Sequence, residues 1–269
     1  MNGSDTPPVS LGIRLLAGSA LVILLVPVAV VVLAGLNAGD YLTFPPHGLS
    51  LRWVWAFLAS PTFLNAYLVS FTLALAATCL ATLLGTAAAL YLARDGGRLS
   101  RILRGVFMLP AIVPGVMLGL ALYVFYVWTD IGLARSFLGL LIGHVLVTTP
   151  YVIATVTAAL VGFDLSLEEA ARSLGASPLT AFRLITLRII GPAISAGAIF
   201  AFIISFGQFE VTLFLATPDL QTLPMAMYVA LRYSFEPTAA AAGIFAIVLV
   251  VASTILTTRL ANLKRMFGG

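Results

Sequence analysis

The chain is divided by long stretches that contain no Asp, Glu, Lys or Arg. These stretches are residues 15–39, 53–93, 105–129, 136–163, 189–209 and 237–258. A helix that crosses a bilayer needs about 20 consecutive apolar residues, so each stretch is long enough to span a membrane. Only 9% of the residues are charged, against roughly a quarter in soluble domains. The sequence therefore predicts an all-α polytopic membrane protein and excludes a soluble, disordered or disulfide-rich secreted chain.

The longest stretch, 53–93, holds too many residues for one helix. Pro61 and Asn65 divide it into a short amphipathic piece with Trp53 and Trp55 and one span that starts near Asn65. Six transmembrane helices are therefore expected. The first span has an apolar core longer than the roughly 7 to 15 residues of a cleavable signal sequence, so it is expected to remain as an anchor. The alternative is a cleaved signal.

The basic residues indicate the orientation of these helices, because cytoplasmic loops retain Lys and Arg. With the N-terminus inside, eleven of the fourteen basic residues fall in cytoplasmic segments, and Arg52, Arg135 and Arg232 remain outside. Both termini are then cytoplasmic. Because the basic residues are spread over separate loops, the net charge of +4 does not indicate nucleic acid binding. We expect one transmembrane domain, residues 1–269, with a disordered cytoplasmic tail at residues 1–10.

Proline and glycine interrupt two of the expected spans. Pro110 and the Pro114-Gly115 pair lie near the inner end of the third span, and Pro150 interrupts the fourth. Each proline removes one helical hydrogen bond and frees a main-chain carbonyl. Inside a membrane this is tolerated only where a neighbouring helix or a water-filled cavity supplies another partner for the carbonyl. Two interpretations stay open: the breaks mark a transport pathway or a movable bundle, or they reflect the ordinary abundance of proline in membrane helices.

The loop between the fourth and fifth spans, residues 164–190, carries a helical pattern. Ser166 and Glu169 have the spacing of a capping box, which begins a helix. The apolar residues that recur on one face of this helix are Leu167, Ala170, Ala171 and Leu174. Gly175 fits the position after a helix end, and a serine-proline pair follows as a second helix start. We expect two short helices joined by a glycine turn, too short to be stable alone and therefore bound to a protein partner.

Within this loop, three residues separate Glu169-Ala170-Ala171 from Gly175. Nine further residues separate Gly175 from an Ile-x-Leu triplet at 185–187. This spacing resembles the EAA loop in the permease subunits of binding-protein-dependent ABC importers. The pattern of that family ends in proline, which Arg188 replaces here. The position of the loop, in the last long cytoplasmic segment, agrees with the resemblance.

The resemblance extends over nearly the whole chain, since stretches 44–53, 109–115 and 222–225 are similar to the spermidine/putrescine-type permease group. It implies a type I ABC importer permease fold with six spans in a bacterial cell inner membrane. It also implies a second permease subunit of a different but homologous chain, two ATPase subunits and an extracytoplasmic substrate-binding protein. In that family the EAA loop is a coupling helix that seats in a groove on the ATPase. The residues to which the resemblance assigns this role are Glu169, Ala170, Ala171 and Gly175.

The chain offers no constellation for chemistry of its own. A phosphate-binding loop ends in Gly-Lys-Ser/Thr, and the only lysine, Lys264, follows Leu263. His47 and His144 are isolated, and an isolated histidine in a membrane helix is typical of a hydrogen-bonded interior residue. Cys79 is the only cysteine, so no internal disulfide is possible. We expect no catalytic residue, no metal and no cofactor in this chain, which is not an enzyme; ATP and Mg are bound by the partner ATPase.

Glu210 is the one acidic residue in what reads as a continuous apolar helix over residues 191–216. A charge near the bilayer centre costs about 2.5 to 3.5 kcal/mol, so this carboxylate should face a cavity or a partner. Phe206, Gln208 and Phe209 would lie on the same turns. The sequence thus predicts a substrate path lined by these four residues. The alternative is a glutamate at the water boundary that contacts no ligand.

The cargo stays open. Spermidine/putrescine-type permeases commonly read Ser-Phe-Asp-Glu in the region where this chain reads Ser-Phe-Gly-Gln at 205–208, so two acidic places are neutral and Glu210 remains. Relatives of the same architecture import aminophosphonates, thiamine, ferric iron, opines and other small solutes. A polyamine or a related small organic compound is the expected solute.

A competing functional class is a stand-alone secondary transporter or channel. Such a protein usually needs an ion-coupling or selectivity constellation inside the membrane, or an inverted repeat. This chain offers one glutamate and no detectable repeat. A membrane-embedded enzyme would need convergent nucleophilic or metal-binding residues, which the sequence does not indicate.

Overall fold

In a computed structural model of the protein, residues 10–234 and 236–266 are described, with side chains in the last helix through residue 255. The α-helices are α1 Leu11–Gly35, α2 Arg52–Ala59, α3 Pro61–Arg94, α4 Arg98–Ile112, α5 Gly115–Thr129, α6 Phe137–Val161, α7 Ser166–Ser173, α8 Pro178–Ala181, α9 Leu187–Phe206, α10 Thr212–Leu215, α11 Leu223–Tyr233 and α12 Thr238–Met266. A π-helical turn, Phe182–Thr186, precedes α9, and a 3-10 turn, Pro218–Leu220, precedes α11. The all-α fold class is confirmed. The tail predicted at residues 1–10 lies outside the described residues except for Ser10.

Five described helical segments are long and apolar enough to cross a membrane: α1, α3, α6, the described part of α12, and the segment Pro178–Phe206, which ends with α9. The pair α4 and α5 would form a sixth span, although the two helices are bent by 102° at their junction. The six spans predicted from the sequence correspond to these segments. The amphipathic piece is α2, and α3 begins at Pro61 rather than near Asn65.

The proline positions behave differently in the third and fourth spans. Pro110 lies inside α4, and the break occurs at Val113, which has an extended backbone with ψ of 132°. A residue before proline is driven out of the helical region, so Pro114 explains this break. Pro150, by contrast, lies inside α6, which continues to Val161. The expected interruption at Pro150 is therefore wrong: the proline removes one main-chain hydrogen bond, and α6, which packs on α3 and α9, continues past it.

The described residues form two compact units, and each is described by itself. Of the described residues, the first unit comprises 10–60, 229–234 and 236–247, and the second comprises 61–228 and 248–266. In the first unit, the buried Asn37 organises the loop after α1, because its side chain donates to Tyr41 O at 2.8 Å and accepts from Gly39 N at 3.1 Å. This loop leads into α2.

The centre of the second unit is formed by α3, α6 and α9. The buried small residues that recur every three or four positions on α3 are Ala66, Ser70, Ala74, Ala77, Ala81, Gly85 and Ala89. Small residues let membrane helices approach closely, which is the main source of helix association in lipid. A Cβ added at Gly85 would lie 2.8 Å from Val152 Cβ on α6, so α3 and α6 are in direct contact there.

Candidate functional site

The fifth predicted span does not continue to its expected end. α9 ends at Phe206, residues 207–211 are non-helical, and α10 occupies only Thr212–Leu215. The expectation of one continuous helix over residues 191–216 is therefore wrong. We call residues 207–211 the break segment. Three of the four predicted path residues lie in the break segment and not on helical turns: Gln208, Phe209 and Glu210.

A buried histidine holds both sides of the break segment. His144 on α6 is fully buried, with Nδ1 2.8 Å from Ser205 Oγ and Nε2 3.0 Å from Thr212 Oγ1. Ser205 belongs to the last turn of α9, and Thr212 is the first residue of α10. The predicted hydrogen-bonded interior histidine is confirmed for His144. One imidazole ring therefore fixes the end of one helix relative to the beginning of the next.

The direction of the hydrogen bonds assigns the tautomer of the ring. Thr212 Oγ1 donates to Gln208 O at 3.1 Å, so it accepts the proton of His144 Nε2. Nδ1 of a neutral imidazole is then the acceptor for the Ser205 hydroxyl. Both ring nitrogens are satisfied inside an apolar core, where an unpaired polar group would be costly. Among the described residues, no three His, Cys, Asp or Glu side chains are close enough together to hold a metal ion.

Two glycines on neighbouring helices make room for α10. A Cβ added at Gly119 on α5 would lie 2.9 Å from Val211 Cα. A Cβ added at Gly143 on α6 would lie 2.9 Å from Val211 Cγ1 and 3.0 Å from Leu215 Cδ1. Val211 and Leu215 are fully buried. The short helix therefore packs into a recess that exists because both neighbouring helices lack a side chain there.

Glu210 lies against the first turn of α5. A Cβ added at Gly115 would lie 2.9 Å from Glu210 Cβ and would overlap the carboxylate. Gly115 begins α5 directly after the break at Val113-Pro114, so two interrupted spans meet at this contact. The positive end of a helix dipole favours a nearby carboxylate. Glu210 is also exposed, so the structure places its charge at the surface where the two breaks meet.

The two predicted aromatic path residues have different surroundings. Phe206 is buried, with its ring 5.8 Å from that of Tyr67 in an edge arrangement and 6.0 Å from that of Phe202. Phe209 is half-buried and lies 5.0 Å from the ring of Tyr228. The structure therefore brings Phe209 together with its polar neighbours in the break segment and places Phe206 in the aromatic core.

The sequence analysis did not identify the residues that shape the break segment, which are the glycines on α5 and the buried His144. The available signal was the spacing of Gly115 and Gly119, one helical turn apart, which is a pattern of close helix approach in membranes. No local signal existed for the histidine network, because His144 is 61 residues from Ser205 and 68 from Thr212.

The second predicted site contains two short helices joined by a glycine turn, as expected. α7 occupies Ser166–Ser173, and Gly175 follows with a φ of +91°. The Gly175 N–H donates to Arg172 O at 3.0 Å, and the Ala176 N–H donates to Ala171 O at 3.1 Å. This pair of bonds is a Schellman motif, which needs a left-handed residue at the glycine position.

The two helices of this loop begin in different ways. Ser177 Oγ accepts from Thr180 N at 3.2 Å and caps α8, which confirms the predicted second start. The predicted capping box of Ser166 and Glu169 is wrong, because Ser166 is already helical and donates its N–H to Asp164 Oδ1 at 2.9 Å. In a capping box the Glu169 carboxylate would accept this N–H, and here the Asp164 carboxylate accepts it instead. The hydrogen bonds from Ser166 hold the pKa of Asp164 below its ordinary value.

The α7 helix presents its predicted residues at the surface. None of its residues is buried, and Leu174, just after it, is 91% exposed. Ala170 is exposed, and Ala171 is half-buried. Glu169 is exposed and borders an open surface concavity, whose other residues are Arg172, Ser173, Ala176 and Pro178. The apolar face with Leu167, Ala170 and Leu174 is thus exposed within the described part of the chain.

The profile of one protein family, the "Binding-protein-dependent transport system inner membrane component", matches residues 81–265. The matched region contains the break segment and the α7 loop. The chain belongs to this family. It is therefore a membrane-embedded permease component of an ABC importer, as the spacing in the α7 loop predicted.

Two bacterial permease proteins are among the relatives that this chain resembles in sequence. It is 33% identical over 216 residues to the putrescine transport system permease protein PotI of Escherichia coli (strain K12), a match that covers 78% of this chain and 76% of the relative. It is 33% identical over 217 residues to the molybdenum transport system permease protein ModB of Mycobacterium bovis, with coverages of 75% and 81%.

A solved structure shares the fold. The match is to a chain of the bacterial alginate ABC transporter in complex with an alginate pentasaccharide-bound periplasmic protein. The TM-score is 0.72 at 17% sequence identity, and the match covers 93% of this permease and 94% of that chain. The expected ABC importer permease fold is confirmed.

Proposed function

We propose that this permease forms half of a translocation path for a small organic cation. A second, homologous permease completes the path, an extracytoplasmic binding protein delivers the solute, and two ATPase subunits bind ATP and Mg and drive the cycle. In this arrangement both termini and the α7 loop are on the cytoplasmic side of a bacterial inner membrane. The observation that carries the proposal is the exposed, glycine-terminated helix α7 in a chain of the binding-protein-dependent transport family.

The α7 loop is the proposed ATPase docking element. An eight-residue helix is not stable alone in water, so the exposure of its face with Glu169, Ala170 and Leu174 favours a protein partner. Ala170 and Ala171 allow a close backbone approach, and Gly175 sets the turn that separates α7 from α8. Glu169 borders the concavity that the ATPase would contact.

The break segment is the proposed lining of the path. Relatives alone do not select the cargo, since one is named for putrescine and another for molybdenum. The feature that favours a cation is the exposed carboxylate of Glu210 at the junction of two interrupted spans. Gln208 supplies an amide and Phe209 a ring in the same segment, and the buried Phe206 supports the segment from the aromatic core. A polyamine such as putrescine combines charge with an apolar stem and fits these groups.

Co-purification tests the docking assignment. The tagged permease should retain the ATPase encoded with it, and Leu174→Glu should abolish this retention because it places a charge on the proposed contact face. Leu49→Glu is the matched control, since Leu49 is exposed in the loop after α1. Uptake by the permease in the absence of any ATPase would contradict the proposal and support a stand-alone transporter.

Substitution of Glu210 tests the path. In proteoliposomes that contain the complete transporter, Glu210→Gln should reduce putrescine uptake about tenfold or more, which corresponds to the loss of one charged hydrogen bond. Asp219→Asn is the matched control, because Asp219 is an exposed acid in the nearby 3-10 turn. Unchanged uptake kinetics in Glu210→Gln, at equal subunit abundance, would remove Glu210 from the path.

A further inference from the structure

Two adjacent glutamates on α7 have opposite surroundings. Glu169 is exposed, whereas the side chain of Glu168 is only 15% exposed. One carboxylate oxygen of Glu168 accepts hydrogen bonds from two groups, Arg94 Nη2 at 2.6 Å and the hydroxyl of Thr186. The two partners are distant in the sequence, with Arg94 74 residues away and Thr186 18 residues away. Glu168 therefore connects α7 to two other parts of the fold.

The partners of Glu168 lie at the ends of two core helices. Arg94 is the last residue of α3, and Thr186 is the last residue of the π-helical turn that leads directly into α9. Thr186 is fully buried. The Arg94 guanidinium also lies 5.7 Å above the ring of Phe182, the first residue of the same turn. The cation–π contact thus holds Arg94 in place for the carboxylate.

These two helices extend from the α7 loop toward the other candidate site. α3 and α9 pack on each other and on α6, with Leu92, Ile153 and Ile190 buried in their shared core. α9 ends one residue after Ser205, which is bound to His144 next to the break segment. Packed contacts therefore connect Glu168 with helices that reach the break segment. π-helical turns are frequent at functional positions of helices, and this one carries Thr186.

We propose that Glu168 is a positioning residue that transmits movement of α7 to α3 and α9. It does so through its bonds to Arg94 and Thr186, while the neighbouring Glu169 belongs to the surface that meets the ATPase. The inference rests on the proposed function, because it assumes that an ATPase moves α7. Charge-assisted hydrogen bonds with an arginine have a defined geometry and are stronger than neutral ones, so this connection resists rotation of α7.

The first experiment measures coupling in proteoliposomes that contain both permeases, both ATPases and the binding protein. The quantity is putrescine imported per ATP hydrolysed. Glu168→Gln should keep the ATPase bound but lower this ratio about fivefold or more, the lower limit of typical coupling between sites. Arg94→Glu should have the same effect, and the swapped pair Glu168→Arg with Arg94→Glu should restore the ratio. Asp95→Asn, next to Arg94, is the matched control and should leave the ratio unchanged.

The second experiment does not depend on the solute or on the stability of Glu168 variants. Spin labels are placed at Leu165→Cys, just before α7 and outside the proposed docking surface, and at Leu83→Cys in a Cys79→Ser background. The distance between them is measured without nucleotide and with trapped ATP. Both positions are exposed. The distance should stay constant in the otherwise unaltered permease, because α7 moves together with α3. It should change with nucleotide in Thr186→Val, which removes one of the two bonds.

The outcomes separate this inference from the proposed function. A full coupling ratio in Glu168→Gln, or no recovery in the swapped pair, would overturn the role of Glu168. Loss of ATPase binding in Glu168→Gln would also overturn it, since Glu168 would then belong to the docking surface, and the proposed function would stand. An unaltered permease that binds no ATPase would contradict the proposed function itself, and the inference with it.

Discussion

His144 Nδ1 lies 2.8 Å from Ser205 Oγ inside the apolar core, although the two residues are 61 positions apart. The opposite ring nitrogen binds Thr212 on the other side of the break segment. The path of the chain through Gln208 and Glu210 therefore depends on a side chain of another helix. This dependence explains how the chain leaves the helical conformation at a defined place after Phe206.

Replacement of His144 should destabilise the permease. In His144→Leu, the hydroxyls that face the ring lose their partner, and we expect a loss of about 1 kcal/mol in the free energy of unfolding, as for other interhelical hydrogen bonds in membranes. Unfolding in mixed detergent micelles measures the loss. His47→Leu is the control, because the His47 side chain is exposed. Equal midpoints for the two variants would show that the network does not hold the break segment.

A methyl group at Gly119 should be poorly tolerated. It would lie 2.9 Å from Val211 Cα, and a backbone atom cannot move as a flexible side chain can. Gly119→Ala should therefore cost about 1–3 kcal/mol of stability, as overpacking does elsewhere. Gly105→Ala on α4 is the control, since no atom lies within 4 Å of the added methyl there. A Gly119→Ala protein as stable as the control would contradict the close packing of α10 on α5.

A branched residue at Gly175 should separate ATP hydrolysis from transport. The φ of +91° is strained for any residue with a Cβ, so Gly175→Val should change the turn after α7 and the placement of the docking surface. Membrane insertion should stay intact, because the residue is exposed and, apart from its chain neighbours, no atom lies within 4 Å of an added Cβ. The measurement compares ATPase activity with uptake. Gly162→Val, at an open position with negative φ, is the control. Normal uptake in Gly175→Val would remove the coupling assignment.

The start of α7 should depend on pH through Asp164. Its pKa is lowered from 3.8 by the hydrogen bonds from Ser166. A carboxyl whose pKa is lower in the folded state stabilises that state when ionised. Its contribution is complete above pH 3.8 and is lost as the pH falls through the lowered pKa. Hydrogen-exchange protection of α7, corrected for intrinsic rates, should decrease in that range, and Asp164→Ala should lack this decrease. The same decrease in the variant would assign it to another group.

The all-α class and the number of membrane spans were predictable, because the charge-free stretches reflect the cost of burying charge in lipid. The break at Val113-Pro114 was also predictable, since the proline acts on its own neighbour. The break after Phe206 was not. Its local sequence, Gly-Gln-Phe-Glu-Val at 207–211, contains no proline. The causes lie on other helices, in the ring of His144 and the missing side chain of Gly119.

The α7 loop shows the same division between local and distant causes. Its glycine turn followed from the sequence, because the Schellman motif involves only neighbouring residues. The bond from Arg94 to Glu168 joins residues 74 positions apart, and the sequence alone did not distinguish Glu168 from Glu169. The capping box failed because a nearby carboxylate, Asp164, competes for the same N–H group.

The central claim is that the α7 loop docks on a cytoplasmic ATPase. Labelling of Leu174→Cys with a membrane-impermeant maleimide, in a Cys79→Ser background, tests it most directly because Leu174 is 91% exposed. We predict rapid labelling in inside-out vesicles stripped of the ATPase, protection when the ATPase is added back, and no labelling in intact spheroplasts. Labelling from the outside of spheroplasts would contradict the account.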